Sequence, residues 1–223
     1  MAIISYTAGS GKSGDSPGGA SSLTDTWSHT TGVSKTNGLA VLTLFMVTAG
    51  GASNSVTATY GGVSMTLQGV QATGSGSACR LALFTLLNPP TGTRDVVFLW
   101  SGLSATIPGK PISGICTTYN NVASISGYTT GSGYGTTSSL TLSNAISSEF
   151  AVFAHARQTA TDFSTFSPTQ RYTINMSTNA RTTTGDSTGT SGSVTSTATM
   201  SANDYHASHG ILVRRFTETD FFA

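Results

Sequence analysis

The chain has 223 residues, of which 33 Ser, 39 Thr and 26 Gly together make 98, while only ten are basic and nine acidic. This excludes a coiled coil or helical bundle, which would need abundant Ala, Glu, Lys, Leu and Arg, and it excludes a charged disordered tail. The length suits one all-β sandwich, and a net charge of +1 from scattered side chains forms no stripe that follows a phosphate backbone, so nucleic acid is not an expected partner.

Residues 1–6 hold Ile3 and Ile4 but neither a basic start nor an apolar stretch of signal length, and later apolar runs are short, so neither export signal nor membrane span is expected. Residues 1–20 contain Gly9, Gly11, Gly14, Gly18, Gly19 and Pro17, which penalise both helix and strand and predict a flexible arm. Residues 21–31, with Leu23 and Trp27 among hydroxyl side chains, pattern weakly as an edge strand. Residues 39–47 (LAVLTLFMV) form a strand apolar on both faces, because Leu39, Val41, Phe45 and Val47 alternate with Leu42, Leu44 and Met46. Residues 56–60 and 63–70 form a hairpin across Gly61-Gly62. Residues 81–87 (LALFTLL) are again apolar on both faces and stop at Asn88-Pro89-Pro90-Thr91-Gly92.

Residues 96–100, 112–119, 138–142, 150–156, 171–176, 194–200 and 208–216 complete about ten to twelve strands by this pattern. Residues 159–166 are the one short helical candidate. The stretch 126–135 (SGYTTGSGYG) is expected as a loop, and 182–199, almost pure Thr, Ser and Gly, as a solvated edge hairpin turning near 189–192 or a partly disordered segment. Turn signals about every ten residues predict an all-β, jelly-roll-like antiparallel sandwich over 21–216, flanked by the arm 1–20 and a C-terminal tail, 217–223. Strands apolar on both faces require a cover for the second face: a third layer, a subunit interface or a host surface, with a β-rich homo-oligomer preferred.

Motifs for chemistry fail on context. Gly9-Ser10-Gly11-Lys12-Ser13 lacks the first glycine of a phosphate loop, since Tyr6 stands there. Gly14-Asp15-Ser16-Pro17-Gly18 and Gly185-Asp186-Ser187-Thr188-Gly189 spell a nucleophile elbow, but neither joins a hydrophobic strand to a helix. His206 and His209, an odd number apart, point to opposite faces of a strand, and no third ligand stands at metal spacing. His155, inside FAVFAHA, is expected as a hydrogen-bonded interior histidine. The seven Asp and two Glu show no paired-carboxylate motif. No catalytic, metal-binding or cofactor-binding residue is therefore expected. Cys79 and Cys116 lie on separate strands, where two buried free thiols are expected over a disulfide. Trp27, Tyr128 and Tyr134 are candidate stacking platforms for a sugar, with packing of their own loop or a neighbouring subunit as the competing reading. Phe221 and Phe222 each lose about 2 kcal/mol if left in water when burial is on offer, which predicts docking on this subunit or a partner.

Two segments carry a family resemblance. VTATYGGVSMTLQGV at 56–70 and LFTLLNPPTGTRDVVFLWSG at 83–102 resemble a jelly-roll β-sandwich domain of tailed-phage virion proteins, decoration (cement) or fibre components, also seen in some bacterial surface proteins. The likeness continues in outline through 150–157 and 209–214, and departs at Thr117-Thr118-Tyr119-Asn120-Asn121-Val122, where a Phe-x-Gly-Val corner is expected. It implies a non-enzymatic virion protein, made in the host cytoplasm, and carries over no functional residue, because its motif makes turns and core. With the compact sandwich and absent chemistry, it leads to a capsid decoration protein. Such a protein forms a homo-oligomer, a trimer preferred, that clamps neighbouring major capsid protein subunits. Ile3, Ile4, Tyr6, Phe221 and Phe222 are then candidate partner contacts. The alternative is a receptor- or glycan-binding module of a tail fibre or cell surface, using Trp27, Tyr128 and Tyr134; a secreted polysaccharide-active enzyme would need an export signal and a carboxylate pair.

Overall fold

A chain with 39 Thr in 223 residues favours extended backbone, because β-branched side chains are stiff at χ1 and pack well on a pleated surface. The computed structural model describes residues 3–16, 21–32, 37–47, 55–73, 79–102, 110–146, 149–158, 162–176, 180–188 and 192–215, and among them every regular element is a strand. These are β1 (Ser5–Ser16), β2 (Ser22–Thr31), β3 (Gly38–Val47), β4 (Ser55–Tyr60), β5 (Val63–Ser64), β6 (Thr66–Ala72), β7 (Cys79–Leu87), β8 (Gly92–Ser101), β9 (Lys110–Asn120), β10 (Val122–Ala145), β11 (Glu149–Arg157), β12 (Phe163–Ser167), β13 (Thr169–Asn175), β14 (Arg181–Thr188) and β15 (Gly192–Arg215).

All strand pairs are antiparallel. A central sheet runs β1-β9-β3-β7-β6, and a first outer sheet runs β2-β8-β4-β5. A second outer sheet runs β10-β15-β11-β14-β13. The central sheet is apolar on both faces because each meets a different neighbour. Leu42, Leu44, Phe84 and Cys116 pack with Tyr60, Phe98 and Trp100 of the first outer sheet. On the other face Leu39, Val41, Leu83 and Tyr119 pack with Phe150, Val152, Ile211 and Val213, and Phe45, Cys79 and Leu81 pack with Ala156 and Ala207.

The two longest strands build a fourth layer. β10 and β15 pair from Val122↔Arg215 to Gly135↔Asp204, shift register, and pair again from Thr137↔Thr199 to Ala145↔Gly192. Beyond that shift the ribbon folds back across the outer face of the second outer sheet, with β12 added beside β15. Leu140, Leu142 and Val194 of this flap bury against Ala151, Phe153 and Leu212 beneath it. Close approach needs residues without a β-carbon under it: at Gly210 a methyl would stand 3.1 Å from both Leu142 Cδ1 and Phe153 Cδ1, and at Gly185 it would overlap the Phe166 ring and the Thr169 carbonyl.

Several expectations are corrected. Of the predicted flexible arm, Ser5–Ser16 is an edge strand paired along β9 from Ser5↔Asn120 to Ser16↔Lys110; its glycines permit packing, since Gly9 and Gly11 lie under the Tyr172 ring and the side chain of Ile174. Residues 63–70 are not one strand: β5 belongs to the first outer sheet and β6 to the central one. The helical candidate at 159–166 gives β12 from Phe163, with 159–161 outside the described residues. The expected loop at 126–135 lies inside β10. Nor is 182–188 a solvated edge: β14 is flanked by β11 and β13, and Thr182, Thr183 and Thr184 are buried. Two of these hydroxyls are satisfied by others, Thr182 by Ser113 across sheets at 2.7 Å and Thr183 by Thr173 at 2.8 Å, while Thr184 Oγ1 is buried without a hydrogen bond. The apolar second faces that suggested self-association are covered from within the chain: those of β3 and β7 by the two outer sheets, and those of β11 by the central sheet and the flap.

Candidate functional site

The polar side chains with chemical potential are concentrated at the contacts between layers. Around β1, the Trp27 indole N–H donates to Ser10 Oγ at 3.1 Å and the Ser10 hydroxyl donates to His29 Nδ1 at 2.7 Å, which leaves Nε2–H directed at Thr118 Oγ1, 3.4 Å away. Burial lowers the His29 pKa to about 4. Lys12 Nζ reaches Asp25 Oδ1 at 2.5 Å and the Thr26 carbonyl at 3.0 Å, tying β1 to β2.

On its other side β1 is held by charge. Arg171 Nε donates to Asp186 Oδ2 at 2.6 Å, and its guanidinium lies 4.8 Å from the Tyr6 ring centroid. Asp186 is buried, and desolvation raises its pKa although Arg171 opposes the shift. Arg171→Ala is expected to cost about 2 kcal/mol in denaturant unfolding, because a buried carboxylate loses its cation while the partly exposed arginine lets water in. Adding Asp186→Asn should recover part of that loss; no recovery would show that the pair is not the source.

Two further histidines bridge layers. His209 Nε2–H donates to the Leu81 carbonyl at 2.8 Å, so Nδ1 accepts from the Tyr128 hydroxyl, also at 2.8 Å. The Tyr128 ring stacks on the imidazole at 5.7 Å between centroids. His155 is sealed beneath the flap: Ser196 donates to the Ser167 carbonyl at 2.8 Å and accepts from His155 Nε2–H at 3.0 Å, while the Ser138 hydroxyl donates to Nδ1 at 2.8 Å. Burial lowers the His209 pKa to about 4 and that of His155 to about 3, the neighbouring His206 adding to the latter.

The predicted contact residues separate. Ile3 is 67% exposed, Ile4 is buried against the core between the central and second outer sheets, and Tyr6 is half-buried against Tyr119. Phe221 and Phe222 lie outside the described residues. The proposed sugar platforms do not converge. Trp27 packs into the core beneath the first outer sheet, and Tyr128 is engaged by His209 on the inner face of the second. Tyr134, 62% exposed, stands free to stack, paired across the ribbon with Tyr205 at 4.8 Å between centroids. Seventy-one positions separate those two tyrosines (205 − 134), so only the register of β10 on β15 brings them together.

A cleft of about 340 Å³ opens between the two halves of β10, lined by Ser126, Thr129, Thr141, Ser143, Asn144 and Glu149 among others. The Glu149 carboxylate accepts from the Ser126 hydroxyl and, at 2.9 Å, from the Ile146 N–H, which makes it a brace for the turn into β11. Tyr128 is on the cleft wall through its strand, while its ring is directed to the opposite face by the His209 bond. Cys79 and Cys116 are both buried free thiols, on opposite faces of the central sheet, and burial pushes the Cys79 thiol up to about 12. Comparison with protein-family models and with curated proteins finds no match for this chain.

Proposed function

We propose that this protein is a non-enzymatic structural component of a phage virion, a capsid decoration protein assembled in the host cytoplasm that binds across neighbouring major capsid subunits. The observation that carries the reading is strand order. Leaving aside β6, the central sheet runs β1-β9-β3-β7 and faces β2-β8-β4-β5. With β6 left out, that order supports reading these eight strands as a jelly roll, an architecture used by viral capsid and lectin domains. The disposition of titratable groups supports a structural role, since His29, His155, His209, Asp186 and Glu149 are each engaged in bonds between strands. Contact area for a capsid partner is offered by the exposed side chains of Val63 on β5 and of Leu67 and Val70 on β6. Ile3, at the entry to β1, adds to the exposed apolar surface. A trimer remains the assembly that suits threefold lattice positions, now resting on the capsid reading alone.

The second reading, a glycan- or receptor-binding module, is favoured by one feature: the exposed Tyr134 beside Tyr205, an aromatic pair at the bend of the ribbon. Light scattering followed by mixing with shells assembled without the protein separates the two. The decoration reading expects an oligomer that rebinds and raises the heat resistance of the shells, with Leu67→Asp weakening rebinding at unchanged folding. A protein that ignores shells but is retained on a glycan array, with Tyr134→Ala abolishing retention, would overturn it in favour of the second reading.

A further inference from the structure

We propose that the folded-back half of the β10–β15 ribbon is an acid-released flap, latched to the second outer sheet by His155. Both imidazole nitrogens are committed across the layer boundary: Ser138 belongs to the flap part of β10 and Ser196 to the flap part of β15. Ser196 is itself fixed by its bond to the Ser167 carbonyl of β12, so one side chain of β11 holds all three flap strands. The latch requires neutral imidazole, because Nδ1 must accept from Ser138 while Nε2–H donates to Ser196.

The surroundings make a second proton costly. On β11 itself, Arg157 follows on the same face and is fully buried. Its neighbours across the ladders are Arg181 on β14 and His206 on β15, so two guanidinium groups and a second imidazole lie in one row beside the latch. Directly opposite His155 stand the uncharged Thr183 and Ser208. From β12 the Phe166 ring meets the imidazole edge-on at 5.5 Å and Phe163 covers the Arg157 guanidinium at 5.4 Å. Asp204 lies 3.7 Å from Arg157, and Asp162 is ion-paired with Arg181, so the carboxylates facing this row are engaged by the arginines. A proton on His155 therefore removes the acceptor for Ser138 and buries a cation beside Arg157.

Opening the flap relieves this, because water then solvates the imidazolium, and it exposes Leu140, Leu142 and Val194 together with Phe153 beneath them. A group that titrates with an ordinary histidine pKa only when the flap is open raises the opening equilibrium about 30-fold between pH 7.5 and pH 5. The device is independent of which virion or surface role the protein has.

Hydrogen exchange read by mass spectrometry, corrected for the intrinsic effect of pH, tests it on the whole chain. Peptides covering residues 137–145 and 193–199 are expected to lose protection about 30-fold on going from pH 7.5 to pH 5, while the flap reopens and recloses with β3 and β7 still protected. In His155→Gln, which keeps one donor and one acceptor, that pH dependence should disappear from the flap. Flap protection that does not change with pH in the wild-type protein overturns the proposal, as does loss of protection only in step with β3 and β7. Wild-type pH dependence persisting in a folded His155→Gln protein also overturns it. If the variant fails to fold, the wild-type comparison of flap with central sheet decides alone.

Discussion

Acidification from pH 7 to pH 5 is expected to remove about 6 kcal/mol of folding stability, with His29, His155 and His209 contributing about 2 kcal/mol each. Each is buried and neutral in the fold, with its pKa lowered by desolvation to about 4, 3 and 4 in turn from the ordinary 6.5. The folded values lie below the unfolded one, so the unfolded chain binds more protons wherever the two states differ. Stability is then fully present above about pH 6.5 and falls as pH drops toward 4. Asp186 acts in the opposite sense, since burial raises its pKa, but it is one group against three. A loss of this size is a large share of the 5 to 15 kcal/mol, roughly, that holds an ordinary domain together. Urea unfolding at pH 7, 6 and 5 measures it, and a midpoint that stays constant across that range would show that the histidines are solvated in the native state. Replacing His209 with Gln should flatten the dependence by about a third.

Gly185→Ala is expected to destabilise the protein by about 3 kcal/mol or more, the upper end for overpacking. The new methyl would overlap the edge of the Phe166 ring and the carbonyl oxygen of Thr169. The ring alone could turn aside. The carbonyl cannot, because β13 is paired to β14 through Thr169↔Asp186 and Gln170↔Gly185. Thermal unfolding compared with Gly62→Ala separates packing from backbone effects: Gly62 has a φ of +80° but open space around its added carbon. Equal losses in the two variants would mean that the flap does not press on β14 as described.

Much of the architecture was legible because burial and strand period act locally. Residues 39–47 and 81–87 could be read as strands buried on both faces, since a period of two with apolar residues in both phases leaves no solvent side. They are β3 and β7, neighbours in the central sheet. The hairpin over Gly61-Gly62 and the stop at Asn88 to Gly92 were also visible, and Gly61, Gly62, Asn88 and Gly92 all have positive φ. The apolar flanks of His155 point to an interior histidine, and its burial and bonds agree. The cysteines were expected as buried free thiols, and they are.

Glycine and threonine misled where their local meaning was overruled. In 5–16, 126–135 and 182–188 a low-hydrophobicity sequence rich in Gly, Ser and Thr suggests arm, loop and solvated hairpin, yet β1, β10 and β14 are strands inside a layered stack. A missing β-carbon costs backbone entropy in isolation but allows two sheets to approach, and only the identity of the opposing surface determines which effect wins. The same holds for pairs distant in the chain: Arg171 with Asp186, Tyr134 with Tyr205 and Ser138 with His155 and Ser196 are products of register and folding-back.

Taken in isolation, the residues specify an all-β, antiparallel chain, the strands that are buried on both sides, and the places of the sharpest turns. These are consequences of side-chain period, proline and glycine within a few residues of one another. Cover for the second apolar faces by the chain's own layers, the pairing of hydroxyls and charges, and the exposure of Tyr134 come from the three-dimensional arrangement. Those outcomes depend on contacts across layers and between strands far apart in the chain, where the partner of each side chain is set by sheet order and register.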